Sequence, residues 1–572
     1  MLPRSLRARY TRPLAFTAAF GAAGYAVYRY RQSTTAAASR PSFTLPVKSR
    51  ASDGSVVTEM KTIPYLTKED AEQKLTENAW STTIPRAGSS GKGVWRYETA
   101  FLASNNPIED ANAQMVVQPT EKDFWGMKGD KARDVLFFAI MDGHSGFKTS
   151  RLLAKTLIPS VALELQSLVP HDDAVPTKKQ RSLLRYFISY FGFASHPTET
   201  SALYPFHSDP KYVGTAIETA FANLDSQIVN ASIKAVDALT QGNKDLKAAD
   251  LDSKSLEYQL TVSALLPALS GSCALLAMLD ASNNDMYVAC TGDSRAVAGY
   301  WDVDKSGKGK WRVEVLTEDQ TGRNPKEHQR MQSEHPPEEA SYVIQRGRVF
   351  GGLEPTRAFG DSRYKWPKEF QLRLQQLFGE ESGLTIRRPP TDLKTPPYVT
   401  SRPEITHRKL PFNSETPSSN SSSSSSLRFL VMATDGLWDR LSSAEVVALT
   451  GEYLNRVAPN GSPSSSPPPL TITKSDLAQT TVETPTSLGV SGKATTPDSP
   501  TDKEGSWAFV DKNVSTHLIR NALGGADEKE VQKLLSIPAP LSRRYRDDLT
   551  VTVVWWEDRP EATETIGVKA KL

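Results

Sequence analysis

A carboxylate, a glycine carbonyl and an imidazole stand in direct succession at Asp142-Gly143-His144. Such a set can ligate a hard cation and move a proton at adjacent positions. It follows seven apolar residues, Val135 to Met141. That run is too short for a free-standing helix and suits a strand buried on both faces. Gly143 lets the backbone turn tightly at the strand's end. The competing reading is an ordinary Asp-Gly turn, and the rest of the chain decides between the two.

The device recurs. Phe429 to Ala433 runs into Asp435-Gly436, and Met286 to Cys290 runs into Gly292-Asp293. Asp547-Asp548 opens the apolar run Leu549 to Trp556, and Glu109-Asp110 follows a predicted strand at Tyr97–Ala103. Unpaired carboxylates do not gather in a core, so five acidic strand ends point to a divalent cation that holds them together. No His or Cys accompanies them at zinc spacing, and oxygen-only ligands select Mg²⁺ or Mn²⁺. Two such ions about 3.5–4 Å apart can bridge a water, lower its pKa and screen a dianionic phosphate.

Seven short motifs then occur in one order. They are Pro107-Ile-Glu109-Asp110, Met141-Asp-Gly-His-Ser-Gly146, Ser270-Gly-Ser-Cys-Ala274, Thr291-Gly-Asp-Ser-Arg295, Thr356-Arg-Ala-Phe-Gly-Asp361, Ala433-Thr-Asp-Gly-Leu-Trp-Asp439 and Arg546-Asp-Asp-Leu-Thr550. Together they resemble the metal-dependent type 2C (PPM-type) protein phosphatases over about Tyr97 to Trp556. Ser104 to Asp110 and Phe359 to Trp366 look most like the mitochondrial pyruvate dehydrogenase phosphatase branch. The resemblance implies hydrolysis of phosphoserine and phosphothreonine on proteins with at least two Mg²⁺ or Mn²⁺ ions. It implies that Asp142 bridges both ions and that Asp435 and Asp547 complete the first site, although Asp548 offers the same chemistry next door. The Gly143 carbonyl and Glu109 match the second site, and Asp110 matches a residue that positions water. Asp293, with Asp435 and Asp439, matches a weaker third site. His144 matches the general acid for the leaving oxygen. Many members carry an arginine that grips phosphate where this chain has Asn105, which can donate a hydrogen bond but brings no charge. Arg295, Arg357 and Asp361 are expected to hold the fold through internal ion pairs.

The fold implied is α+β, a central β-sandwich of two antiparallel sheets flanked by helices on both faces. Helices are predicted at Lys68–Ala79, Phe147–Leu168 (bending at Pro159), Thr215–Val229, Leu256–Leu266 (ending before Pro267) and Asn513–Leu523. A strand pair is predicted at Ser270–Leu279 and Asp285–Tyr300, with further strands at Trp311–Leu316 and Asp548–Trp556. The phosphatase domain is expected over 91–556, with polar insertions near 170–210, 414–426 and 456–505. Residues 46–90 read as a linker, and the glycine-rich Gly88–Gly93 as a plain loop.

The 572 residues carry a net charge of +3 without a basic stripe, which excludes a nucleic-acid track. Cys273 and Cys290, the two cysteines, lie in apolar runs and read as buried thiols. Residues 1–45 read as a mitochondrial presequence: the first 52 residues lack Asp and Glu and are rich in Arg. The uncharged run 13–28 is marginal for a bilayer span of about 20 residues and is a candidate for inner-membrane association. Residues 557–572 read as a tail ending in Ala570-Lys571-Leu572, a variant of the Ser-Lys-Leu peroxisomal address. The expectation is a monomer, mainly mitochondrial and dually targeted, acting on phosphoproteins such as pyruvate dehydrogenase. The rival reading is a catalytically silent relative serving as a scaffold, and the intact set Glu109, Asp142, His144, Asp435 and Asp547 argues against it.

Overall fold

The computed structural model describes residues 40–50, 55–86, 93–117, 134–166, 209–243, 245–379, 382–413, 424–457, 470–478, 481–483 and 505–558. The segment 13–28, the glycine-rich loop at 88–92, the insertion at 170–208, residues 414–423, most of 456–505 and the tail with Ala570–Leu572 lie outside the described residues.

Val135–Met141 is a strand with every residue buried, as its composition requires. Its alternate side chains serve two cores. Leu136, Phe138 and Ile140 pack with Leu275, Met286 and Val288 of their own sheet and with Trp95, Ala298, Leu430, Met432 and Val554 of the other. Val135, Phe137, Ala139 and Met141 pack instead among helical residues such as Leu153, Leu157, Val161, Ile217 and Phe221. Each such large apolar side chain contributes roughly 1.5–3 kcal/mol on leaving water, so a polar residue anywhere in this run is costly.

The first sheet has the order Glu404–Lys409, Asp285–Thr291, Ala274–Asp280, Val135–Met141, Ala111–Val117, antiparallel throughout. The second has the order Thr481–Glu483, Gly309–Val315, Arg295–Val303, Ser424–Ala433, Leu549–Asp558, Gly93–Leu102, Ala79–Pro85. It is antiparallel except for the short edge strand Thr481–Glu483. Helices Lys148–Gln166, Pro210–Thr240 and Leu256–Leu269 cover the outer face of the first sheet. Ser443–Val457 and Val514–Ala522 lie against the second. The fold is thus the expected α+β sandwich with helices on both faces.

Several element boundaries differ from the sequence reading. Pro210–Thr240 runs beyond the expected Thr215–Val229 at both ends. It starts on an Asp209 side-chain cap with Pro210 in the first turn. Its apolar period is masked by buried Ser232 and Thr240, whose hydroxyls bond carbonyls of this helix and its neighbour. Leu256–Leu269 continues through Pro267, which sits in the last turn. The strand expected over Asp285–Tyr300 is two strands, broken at Gly292-Asp293.

The linker reading of 46–90 is corrected. Ser42–Arg50 and Val56–Pro64 form an antiparallel hairpin, Lys68–Thr76 is a helix, and Ala79–Pro85 is an edge strand of the second sheet. Val56–Pro64 is almost wholly exposed. Its pairing rests on backbone hydrogen bonds and leaves no apolar pattern to read. By contact the chain divides in two, and this hairpin belongs with Glu528–Pro538 in the smaller unit. There Leu66 N–H donates to Ser536 Oγ at 2.8 Å, and Lys68 pairs with Glu528 at 2.9 Å. The larger unit, Leu75–Asp527 with Ala539–Leu572, contains the sandwich. Two of the polar insertions also contribute strand residues. Ser424–Ser426 extends a strand opposite Trp301–Val303, and Thr471–Thr473 pairs with Ser506–Ala508.

Candidate active site and metal centre

The ladders bring the acidic strand ends to one place. Met141 lies opposite Ala111, so Glu109-Asp110 enters beside Asp142. Ala433 lies between Arg295 and Val551, which carries Asp293, Asp435 and Asp547 to the same end. One carboxylate oxygen from each of Asp142, Asp293 and Asp435 lies within 4.8 Å of the others. These three line a cleft of about 760 Å³ together with Gly143, His144, Asp439, Asp547 and Arg543.

The carboxylates repel one another. Burial, then the charges of Asp435, Asp110, Asp293 and Asp547, pushes the Asp142 carboxyl well above its ordinary range. Burial and Asp435 lift Asp547 to about 8. Burial also raises Glu109, and burial with Asp548 raises Asp110 well above the usual value. Charge so concentrated, with oxygen donors only, is the donor set that a hard divalent cation fits.

Asp547 and Asp548 have separate tasks. Asp548 accepts from the backbone N–H groups of Ser104 at 2.5 Å and of Asn105 and Glu109 at 2.9 Å, and it does not line the cleft. It ties the loop 104–109 to the start of the last strand. Asp547 faces the cleft. Glu109 is held by the Gly146 N–H at 2.5 Å and by Asn105 Nδ2 at 3.1 Å. Asp110 Oδ2 accepts from the hydroxyls of Thr434 and Thr550, at 2.9 and 2.8 Å, beneath the cleft rather than in it. Gly143 is required sterically. A Cβ there would stand 2.1 Å from the Glu109 carbonyl oxygen.

Three residues depart from the sequence reading. Asn105 is not presented to a phosphate, because its amide donates to Glu109 Oε2 and Asp548 Oδ2, each at 3.1 Å. Asp361 does form an internal ion pair, as expected, but with His144 at the cleft rather than within the fold's interior alone. Its Oδ2 lies 2.5 Å from His144 Nε2, and Gly271 leaves the space in which they meet. Burial works against a charged His144, but Asp361 outweighs it, and the imidazolium is favoured. Arg543 went unnoticed in the sequence. It rises from the turn Leu541–Arg544, stays half exposed and pairs with Asp547 at 2.5 Å. Its only linear signal is a position four residues before the acidic Asp547. Arg295 and Arg357 do form internal pairs, with Asp319 and Glu327. Both cysteines are buried free thiols, and Cys273 Sγ donates to Asp293 Oδ1 at 3.2 Å.

Comparison with other proteins bears on the same residues. A family profile described as protein phosphatase 2C matches residues 208–460. A protein phosphatase 2C homolog of Schizosaccharomyces pombe is 35% identical over 82% of this chain and 81% of its own length. The chain belongs to the protein phosphatase 2C family. It is a metal-dependent protein serine/threonine phosphatase. The mitochondrial pyruvate dehydrogenase (acetyl-transferring) phosphatase 1 of Saccharomyces cerevisiae is 34% identical over 87% of this phosphatase 2C and 74% of its own length. The human protein of that name is 31% identical over 86% and 83% respectively.

Proposed function

We propose that this phosphatase 2C hydrolyses phosphoserine and phosphothreonine at the cleft where Asp142, Asp293 and Asp435 converge. That convergence, within 4.8 Å and beside the His144–Asp361 pair, carries the reading. Asp142, Asp435 and Asp547 would hold one Mg²⁺ or Mn²⁺ ion, and Asp142, the Gly143 carbonyl and Glu109 a second. Asp293 with Asp435 and Asp439 would hold a weaker third. When bound, these cations screen the phosphate dianion and acidify water. Asp361 fixes the His144 ring through Nε2, and Nδ1 of the protonated ring gives its proton to the departing serine or threonine oxygen. Arg543, over the same carboxylates, meets the non-bridging phosphate oxygens in the absence of charge at Asn105. Asp110 acts from below by fixing Thr434 and Thr550, which flank Asp435 and the last strand.

The named relatives support pyruvate dehydrogenase as a substrate and the mitochondrion as the main location. The Arg-rich start is consistent with delivery there. Residues 13–28 as an inner-membrane contact and Ala570–Leu572 as a second, peroxisomal address belong to the same proposal. No described helix is long and apolar enough to cross a membrane.

The test is hydrolysis of a phosphopeptide with and without Mn²⁺, by the wild type and by Asp435→Asn. Turnover should vanish in chelator and fall by orders of magnitude in the variant. The variant should nonetheless melt higher than the wild type in chelator, because one of several mutually repelling carboxylates is gone. Full turnover in excess chelator would overturn the mechanism. A fluorescent fusion inserted after residue 40, with and without Ala570–Leu572, tests the addresses. A peroxisomal fraction that never appears removes the second one.

A further inference from the structure

The cleft is longer than the carboxylate centre needs. At about 760 Å³ it continues from Asp142 and His144 past Leu353, Leu384 and Ile386 to Arg348, Arg363 and Arg387. Its lining thus carries both signs, acidic where the cations would sit and basic at the three arginines.

The three arginines are gathered around one turn. Arg348 Nη1 donates to the Gly352 carbonyl at 3.3 Å, and Arg363 Nη1 to the Tyr364 hydroxyl at 3.4 Å. That hydroxyl would stand 2.7 Å from a Cβ on Gly352. Arg387 is near enough to oppose the burial effect on Tyr364. Their charges are unequally satisfied. Arg348 pairs with Glu354, which Arg323 also holds. Arg363 spends its Nε on the Arg388 carbonyl, a neutral partner. Among the described residues no carboxylate pairs with Arg363 or Arg387, and Arg387 is exposed. Asp361, which also lines the cleft, is taken by His144.

We propose that this basic arm, with Leu353, Leu384 and Ile386 along its wall, binds the substrate chain beside the phosphorylated residue. It would select protein substrates that carry acidic side chains together with an apolar one near the phosphoserine or phosphothreonine. The proposal rests on the phosphatase reading of the centre. A phosphate held at the acidic end brings the flanking residues along the wall, and their carboxylates then meet the guanidinium groups of Arg363 and Arg387, which no described carboxylate neutralises. Carboxylate–guanidinium contacts are geometrically specific. Two exposed ones are worth on the order of tenfold in selectivity at low salt, falling as salt screens them.

The experiment uses the full chain and two phosphopeptides that differ only in acidic or neutral residues beside the phosphoserine. The ratio of their kcat/KM values is read for the wild type, Arg387→Ala, Arg387→Lys and Arg387→Glu. Hydrolysis of p-nitrophenyl phosphate, which has no flanking chain, reports on the phosphate-processing centre itself. Binding of the same labelled peptides to protein in chelator, followed by anisotropy, gives a readout independent of turnover. The wild type should prefer the acidic peptide about tenfold at low salt. The preference should drop several-fold in Arg387→Ala, persist in Arg387→Lys and invert toward a basic peptide in Arg387→Glu. A wild type that hydrolyses p-nitrophenyl phosphate but treats the two peptides alike would overturn the inference and leave the centre's assignment standing. A protein inactive on every phosphoester, yet binding the acidic peptide more tightly, would overturn the centre's assignment instead. An Arg387→Glu ratio equal to that of the wild type would also refute the proposal.

Discussion

Glu327 lies 2% exposed beneath the loop that ends in Asp361. Arg357 grips it with two hydrogen bonds, at 3.0 and 2.6 Å. Arg330 Nη2 donates at 2.9 Å and the Thr356 hydroxyl at 2.6 Å. Burial alone would raise this carboxyl, but the two guanidinium groups prevail and bring it from 4.5 to about 2. A folded-state pKa so depressed corresponds to about 3 kcal/mol of stability at neutral pH. Because the pKa is depressed, that stability is complete above about pH 4.5 and is lost as the pH falls toward 2. Glu327→Gln keeps the shape and removes the charge, leaving two arginines without their partner, at a cost of about 3–5 kcal/mol. Urea unfolding of wild type and variant between pH 7 and pH 3 reads this directly. The gap should be widest near neutrality and should close by about 2 kcal/mol between pH 4.5 and 3. The loss should also reach the active site. Arg357 is four residues from Asp361, so a loosened loop should let the His144 ring wander and slow turnover of a phosphopeptide. Two unfolding curves that stay parallel down to pH 3, or a variant as stable as wild type at pH 7, would refute the argument.

His144→Gln should slow hydrolysis of a phosphoserine peptide far more than that of p-nitrophenyl phosphate, whose leaving group needs little protonation; equal losses would exclude the general-acid role. Asp361→Asn should reproduce part of that discrimination, since it removes the charge that favours the imidazolium. Arg543→Ala should weaken inhibition by inorganic phosphate roughly 10- to 100-fold, the worth of a lost charge-assisted hydrogen bond. If Arg543 serves only to orient Asp547, the variant will raise the Mn²⁺ requirement and leave the phosphate inhibition constant unchanged.

The linear sequence determined the features that are local in chain and strong in pattern. Val135–Met141 reads as a doubly buried strand because seven apolar residues in a row leave no solvent face, and Asp142-Gly143-His144 follows it covalently. The same logic found Asp435, Asp293 and the pair Asp547-Asp548 at the ends of apolar runs. It could not tell Asp547 from Asp548, because neighbours in sequence carry the same chemistry. Only the ladder of the last strand, which turns one toward the cleft and the other onto the amides of 104–109, separates them. The hairpin Ser42–Pro64 was illegible because exposed strands pair through their backbone and need no apolar alternation. Asn105 and Asp361 each act through a partner distant in sequence, Asn105 on Asp548 and Asp361 on His144. Arg543 pairs only four residues away, with Asp547, but its place at a cleft assembled from strands on both sheets is not written in that spacing. Which residues carry an acid is written in the chain, whereas which acid faces the cleft, which holds a histidine and which merely ties a loop is decided by packing, since only the folded sandwich sets the distances over which charge and hydrogen bonding act.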